Sequence, residues 1–198
     1  MNPRAPGRRA GRWHLLLIAS LFFVPLAAAS WLYLASGWRP SVGVEHGELI
    51  DPPRPLPDTP LQLPDGGAAP ADALRSGWSL VYVGNDACGK TCRGALADMR
   101  QARLALDKDA VRVKRVLLHA GACCEAGFGS DEPDLQVLAA SGPAGSALRA
   151  VFPPSANGEP GIYIVDPHGN LMMGYAPTGA TRGILKDLER LLRLSTIG

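Results

Sequence analysis

The sequence predicts an α/β fold, a central mixed sheet with flanking helices, joined to one N-terminal transmembrane helix. Three observations carry that expectation. Twenty uncharged residues, Leu15 to Leu34, follow a basic start. From residue 77 onward, runs of strand character alternate with stretches of helical spacing. Two cysteines stand where the first of those strands passes into a helix. The totals agree, since 198 residues with 46% hydrophobic and 19% charged content suit one ordinary domain plus an attachment. A net charge of only +2 supplies no basic stripe for nucleic acid, so no nucleic-acid partner is expected. Four cysteines are too few for a domain held mainly by disulfides.

The anchor comes first in the chain. Residues 1–14 carry Arg4, Arg8, Arg9 and Arg12 and no acidic side chain, and they are expected to stay in the cytoplasm. Residues 15–36 form the expected transmembrane helix, long enough at about 1.5 Å per residue to cross a hydrocarbon core of about 30 Å. Pro25 is tolerable within such a span. Trp13, Trp31, Tyr33 and Trp38 stand at its two ends as interfacial residues do. The alternative is a cleaved export signal ending near Ala27-Ala28-Ala29, but the apolar run continues past it through Leu34. Either way the rest of the chain faces an oxidising, periplasm-like compartment. The expected setting is a bacterial inner membrane, crossed once, with lipid as the partner of residues 15–36.

Residues 37–76 hold Pro40, Pro52, Pro53, Pro55, Pro57, Pro60, Pro64 and Pro70. That spacing forbids a helix and favours extended polyproline geometry, so a semi-rigid periplasmic tether is expected. The stretch Gly47 to Leu56 has the alternative of docking on a domain edge, with no chemistry assigned to it.

Residues 77–198 make the folded domain. Trp78-Ser-Leu-Val-Tyr-Val83 is a β-rich run that ends at Gly84-Asn85. Ala95, Leu96, Met99, Ala102 and Leu106 then recur at helical spacing within 92–107. Val111 to Leu118 alternates and becomes fully apolar, as a strand entering a core does. Leu135–Ala140 reads as a short strand and Ala144–Phe152 as a short helix. Gly161-Ile-Tyr-Ile-Val165 and Leu171-Met-Met-Gly-Tyr175 flank Asp166-Pro-His-Gly-Asn170, a hairpin pattern. Thr181–Leu194 places Ile184, Leu185, Leu188, Leu191 and Leu192 on one face of a helix.

Cys88-Gly-Lys-Thr-Cys92 occupies the first strand-to-helix junction. A thiol at a helix N-terminus meets the positive end of the macrodipole, which favours thiolate, and Lys90 and Arg93 add positive charge. Thiolate is the nucleophile of disulfide exchange and a soft ligand suited to Cu(I). A structural disulfide is the plain alternative in an oxidising compartment. The element order, with a cysteine pair directly after the first core strand, resembles the thioredoxin fold. Val81 to Cys92 together with Ile162 to Asn170 resembles the Sco/SenC family in particular, membrane-anchored thioredoxin-fold proteins that bind copper and assist cytochrome c oxidase assembly. The resemblance covers roughly residues 77–195 and implies that Cys88 and Cys92 are the copper-binding thiols.

One departure bears on the chemistry. The family's third ligand is a histidine just before the strand that opens the hairpin, whereas Ser155-Ala-Asn-Gly-Glu-Pro-Gly161 contains none. Pro160 stands where thioredoxins carry a cis-proline facing the cysteines. Both features move the expectation toward thiol redox work. His119-Ala-Gly-Ala-Cys123-Cys124 follows the second core strand, whose end should lie about 5 Å from the first. His119, Cys123 or Cys124 is therefore a candidate third ligand or resolving thiol; the alternatives are half of a structural disulfide or two small loop residues. His168 is read as a solvated turn residue, Met172-Met173 as packing, and His46 is given no role. The expected function is oxidase maturation through the Cys88/Cys92 pair, by Cu(I) delivery or thiol reduction at the copper site. The expected partner is a respiratory oxidase subunit or another copper or thiol protein. A general thiol–disulfide oxidoreductase, or a non-catalytic assembly factor with a structural disulfide, is the alternative.

Overall fold

The computed structural model describes residues 8–35, 45–84, 87–121, 123–124, 128–129, 132–155, 158 and 160–195. The chain divides into two units, Met1–Val44 and Glu45–Gly198. In the first, helix α1 (Arg8–Ala35) contains Pro25 and includes a stretch, Trp13–Trp31, of mean hydropathy 1.8 that is long and apolar enough to cross a membrane. Leu15, Leu17, Phe22 and Leu26 are exposed along it, as suits a helix solvated by lipid tails.

The second unit is a six-stranded mixed sheet in the order β1-β6-β5-β2-β3-β4. β2 (Trp78–Val83) lies at its centre, parallel to β3 (Val113–His119) and antiparallel to β5 (Ile162–Val165). β4 (Leu135–Ala139) continues the parallel side, and β6 (Asn170–Tyr175) returns from β5 as the expected hairpin. The Asp166 carboxylate accepts from the Asn170 N–H at 2.8 Å and the exposed His168 N–H at 2.9 Å, which closes the turn. Every residue of β2 is buried, because both faces of the sheet are covered.

One face packs Trp78, Leu80 and Tyr82 against α2 (Lys90–Ala105) and α4 (Thr181–Leu194). The periodicities hold, with Ala95, Leu96, Met99 and Ala102 buried on α2 and Ile184, Leu188 and Leu192 on α4. Asp98 of α2 caps the start of α4, accepting from the Ala180 N–H at 3.2 Å and the Thr181 hydroxyl at 2.8 Å. The other face packs Val81, Val83, Val116 and Leu118 against α3 (Gly142–Val151) and the segment leading into β2.

That segment departs from the expectation of a semi-rigid tether and takes, at its start, the alternative of docking on a domain edge. Glu48–Pro55 forms β1, which pairs antiparallel with β6. Pro52, Pro53 and Pro55 lack an N–H to give a neighbour, and an edge strand is where that absence is tolerated. The chain then crosses the second face to the opposite edge of the sheet. There Gln62 exchanges backbone hydrogen bonds with Ala139 at 3.0 and 2.8 Å. Leu56, Leu61, Ala73 and Leu74 are buried along the way. The prolines do keep the backbone extended, but the apolar side chains between them cover a sheet face that α3 alone leaves open. Residues 37–44 of the expected tether lie outside the described residues.

A buried carboxylate fastens the start of this strap. Asp187, on the apolar face of α4, accepts from the His46 N–H at 2.9 Å, the Gly47 N–H at 3.0 Å and the Tyr175 hydroxyl at 2.8 Å. His46, given no role from the sequence, adds its ring Nδ1 at 3.3 Å. Burial, with the Asp187 charge beside it, holds the Tyr175 phenol above its usual range. Asp187→Ala removes the acceptor of three donors and should cost about 2–4 kcal/mol. Urea unfolding of the detergent-solubilised chain checks this, with Glu189→Ala on the exposed face of α4 expected to change stability by less than about 0.5 kcal/mol.

Candidate functional site

The parallel strands β2 and β3 end at the same edge of the domain, and the chemistry-bearing residues follow those ends. The Val83 N–H donates to the Gly161 carbonyl at 3.3 Å and the Gly84 N–H to the Leu118 carbonyl at 2.8 Å. β3 and the residue just before β5 thus hold the exit of β2. Gly89 then takes an extended conformation and starts α2, its carbonyl accepting from the Arg93 N–H at 3.0 Å. No side chain caps α2, so the positive end of its dipole is presented to the residues around it.

Cys88 precedes this helix and Cys92 sits in its first turn, with Cα atoms 5.1 Å apart and the sulfurs joined in a disulfide. The two residues are only 9% and 6% exposed, although Ala87, Gly89 and Lys90 beside them are exposed. The bond spans a sequence separation of 4, so the entropy it removes from the unfolded chain is about 2 kcal/mol, less than a bond closing a long loop removes.

His119 is the last residue of β3 and is buried. Its Nδ1 accepts from the Gly121 N–H at 3.2 Å, so the ring proton resides on Nε2. Burial pushes its pKa below the usual 6.5, leaving the ring neutral at pH 7. Cys123 and Cys124 are joined to each other, with Cα atoms 3.7 Å apart. Spacing in the sequence does not determine this pairing. Cys88, Cys92 and Cys123 all belong to one buried cluster with Tyr82, Leu96 and Leu117, and Cys124 packs against it half-buried. Among the described residues, no group of three or more His, Cys, Asp or Glu side chains is gathered as a metal site.

Pro160 is half-buried and lines a cleft with Val83, Phe152 and Tyr163, residues of the second face, whereas the cysteines belong to the first. The peptide bond between Glu159 and Pro160 lies outside the described residues.

The sequence reading missed Arg115. This residue is fully buried on β3, beneath α2. Its Nε donates to Asp134 at 2.7 Å, Nη2 to Asp134 at 2.9 Å and Glu132 at 2.6 Å, and Nη1 to the Leu96 carbonyl at 3.2 Å. Burial opposes the charge, but hydrogen bonds to Asp134 and Glu132 outweigh it and hold the Arg115 pKa above its ordinary value. The hydrogen bond from Arg115 holds the Asp134 carboxyl below the usual carboxylate range. Arg115 thereby ties α2, which bears Cys92, to the residues that lead into β4. The signal was present, since Arg115 is in phase with Val113 and Leu117 on the buried side of β3.

Two family profiles match the chain. The "Transmembrane-like, N-terminal domain" covers residues 3–35 and the "Transmembrane-like, thioredoxin-like, C-terminal domain" covers residues 78–195, more than half of the chain. The chain belongs to this transmembrane-like, thioredoxin-like family. Among solved structures, apo Sco1 from Thermus thermophilus is 18% identical, covering 76% of this chain and 99% of that one with a TM-score of 0.56. Yeast Sco1 with copper bound is 16% identical over 73% of this chain and 96% of that one, TM-score 0.55. BsSco, a Sco-family cytochrome c oxidase assembly protein in which a disulfide switch was identified, is 16% identical over 75% and 99%, TM-score 0.54. At these identities the likeness is one of fold, and the fold is Sco-like. A search of curated protein sequences gives no match.

The lowered pKa of His119 has a definite consequence for stability in this family member. Below pH 6.5 the unfolded chain binds a proton at this position before the folded chain does, so stability is lost as pH falls from 6.5 through the folded pKa. The stability deficit of His119→Gln relative to wild type should therefore shrink between pH 7.5 and 5.5 in urea unfolding. A deficit that stays constant across that range would contradict the assignment.

Proposed function

We propose that this chain is a single-pass inner-membrane protein whose Sco-like domain faces the periplasm and serves cytochrome c oxidase maturation by thiol–disulfide exchange at Cys88 and Cys92. The basic N-terminus supports the orientation, with residues 15–36 held in lipid. The observation that carries the chemistry is the Cys88–Cys92 disulfide at the uncapped N-terminus of α2, directly after the central strand. When the pair is reduced, the helix dipole favours thiolate at this position. Cys88, between the exposed Ala87 and Gly89, attacks a sulfur of the client's disulfide and forms a mixed disulfide. Cys92 then attacks Cys88, releasing the client as a dithiol and restoring Cys88–Cys92. The client is an oxidase subunit or another copper or thiol protein whose metal-binding cysteines must be reduced.

Delivery of Cu(I) is the second reading, favoured by the likeness in fold to yeast Sco1 with copper bound. Reduced Cys88 and Cys92 supply two soft thiolates that suit Cu(I) as cargo. No histidine stands in residues 155–161 to complete such a site. His119, Cys123 and Cys124 are the remaining ligand candidates, and the ring Nδ1 of His119 is engaged by the Gly121 N–H.

Equilibration of the detergent-solubilised chain in thiol redox buffers, read by alkylation and mass, tests the first reading. A Cys88–Cys92 midpoint above about −300 mV is expected for a working pair; one that stays oxidised below that value marks a structural bond and retires the reading. An anaerobic Cu(I) competition titration tests the second. One copper per chain, lost in Cys88→Ser and Cys92→Ser, adds delivery, and no tight copper removes it. In the bacterium of origin, deletion should lower cytochrome c oxidase activity, restored by the wild-type chain and not by Cys88→Ser.

A further inference from the structure

The bond between Cys123 and Cys124 has no evident structural purpose. A disulfide stabilises mainly by closing a loop in the unfolded chain, by an amount that grows with the loop. A bond between neighbours closes almost none. Burial does not account for it either, since two small side chains fill the same space as free thiols.

Its position is more informative. In the parallel register of β2 and β3, Val83 pairs with Leu118. Cys88 lies five residues beyond Val83, and Cys123 lies five residues beyond Leu118. Two chains leave adjacent strand ends, about 4.8 Å apart, and bring a cysteine each into the same buried cluster. Arg115 donates to the Leu96 carbonyl on α2 and to Glu132 and Asp134, which lead into β4. The four cysteines also differ in access. Cys88, Cys92 and Cys123 are buried, while Cys124 is half-buried. A thiolate arriving from solvent on this side meets Cys124 first.

We propose that Cys123–Cys124 is a second redox centre that takes electrons from an external protein dithiol at Cys124 and passes them through Cys123 to the Cys88–Cys92 disulfide. The inference rests on the reading of Cys88–Cys92 as a working thiol pair. One thiolate of the carrier attacks Cys124 Sγ, the Cys123–Cys124 bond breaks, and Cys123 leaves as thiolate. The carrier's second thiolate resolves that mixed disulfide, so the carrier departs oxidised and Cys124 is free. Cys123 Sγ then attacks Cys88 Sγ, and Cys92 is released as the Cys88–Cys92 bond breaks. Cys124 attacks Cys123, restoring the Cys123–Cys124 bond and releasing Cys88. Two electrons and two protons have moved from the carrier to Cys88 and Cys92, and the vicinal pair ends as it began. The reduced Cys88/Cys92 pair then serves the client from the Ala87–Gly89 side.

Two experiments on the detergent-solubilised full chain test this, with dithiothreitol as the dithiol. In Cys92→Ser/Cys124→Ser, the lone Cys88 and Cys123 should form a Cys88–Cys123 disulfide in a glutathione redox buffer, read by peptide mass. Glutathione adducts at both positions without that crosslink would overturn the proposal. In the wild type, dithiothreitol should reduce Cys88–Cys92 at least about tenfold faster than in Cys123→Ser/Cys124→Ser, because Cys124 is more open to attack than Cys88. An equal rate in the two proteins overturns the relay and leaves Cys88–Cys92 exchange standing. A Cys88–Cys92 bond that resists excess dithiothreitol in both proteins retires the exchange reading itself, and the relay with it.

Discussion

The arrangement depends on one buried cation. Arg115 sits in the middle of β3 with no solvent contact, and its guanidinium reaches a helix carbonyl at Leu96 and two carboxylates at Glu132 and Asp134. Desolvating such a charge is expensive, and an apolar side chain of the same volume commonly gives equal or greater stability. What an apolar residue cannot give is direction. The Arg115 donors reach two segments besides its own strand, so α2 and the 132–134 stretch are set relative to β3 and to each other. Arg103 of α2 reinforces this, donating to the Val113 carbonyl at 2.7 Å and pairing with Asp134 at 3.3 Å. Cys92 rides on α2, so its placement against β3 follows from this network.

The remainder of the unit closes the sheet around that centre. β1 lies on the β6 edge, and the Gln62–Ala139 hydrogen bonds occupy the β4 edge, so one continuous segment guards both. Prolines in that segment keep it extended and deny it donors for further pairing. Asp187 fastens its beginning to α4 and β6. The start of the strap is therefore held by buried polar contacts, while the stretch between the two edges is held by apolar burial.

Much of this was legible because period and position agree with the environment. β2, α2, the β5–β6 hairpin and α4 announce themselves by alternation, helical spacing or turn chemistry, and Cys88-Gly-Lys-Thr-Cys92 is conspicuous because it falls at a strand-to-helix junction. Docking of Gly47 to Leu56 on a domain edge was open from the sequence, but the strap beyond it was misread because proline count describes backbone conformation and says nothing of where Leu61 and Leu74 point. Arg115 and Asp187 were passed over because a charged residue inside an apolar pattern reads as an interruption. Only the positions of Glu132, Asp134, His46 and Tyr175, all distant in sequence, turn those two charges into buried anchors. The pairing of Cys123 with Cys124 was equally unreadable, because cysteine connectivity does not follow from spacing.

The two chemistries open to Cys88 and Cys92 need different surroundings. A cargo site for Cu(I) gains from a further donor held near the thiolates, and residues 155–161, where such a histidine would be expected, supply none. Exchange chemistry needs a way for electrons to reach buried sulfurs without opening the core. At the same end of the sheet this chain places a second sulfur pair, one member buried in the cluster with Cys88 and Cys92 and the other half-open to solvent. Parallel neighbours such as β2 and β3 necessarily end together, so residues beyond both ends converge. Here those residues are thiols on both sides and a neutral imidazole whose Nδ1 is already engaged. Joined as disulfides those sulfurs suit the transfer of electron pairs, while Cu(I) needs the same sulfurs as free thiolates, so reduction of the pairs precedes either chemistry.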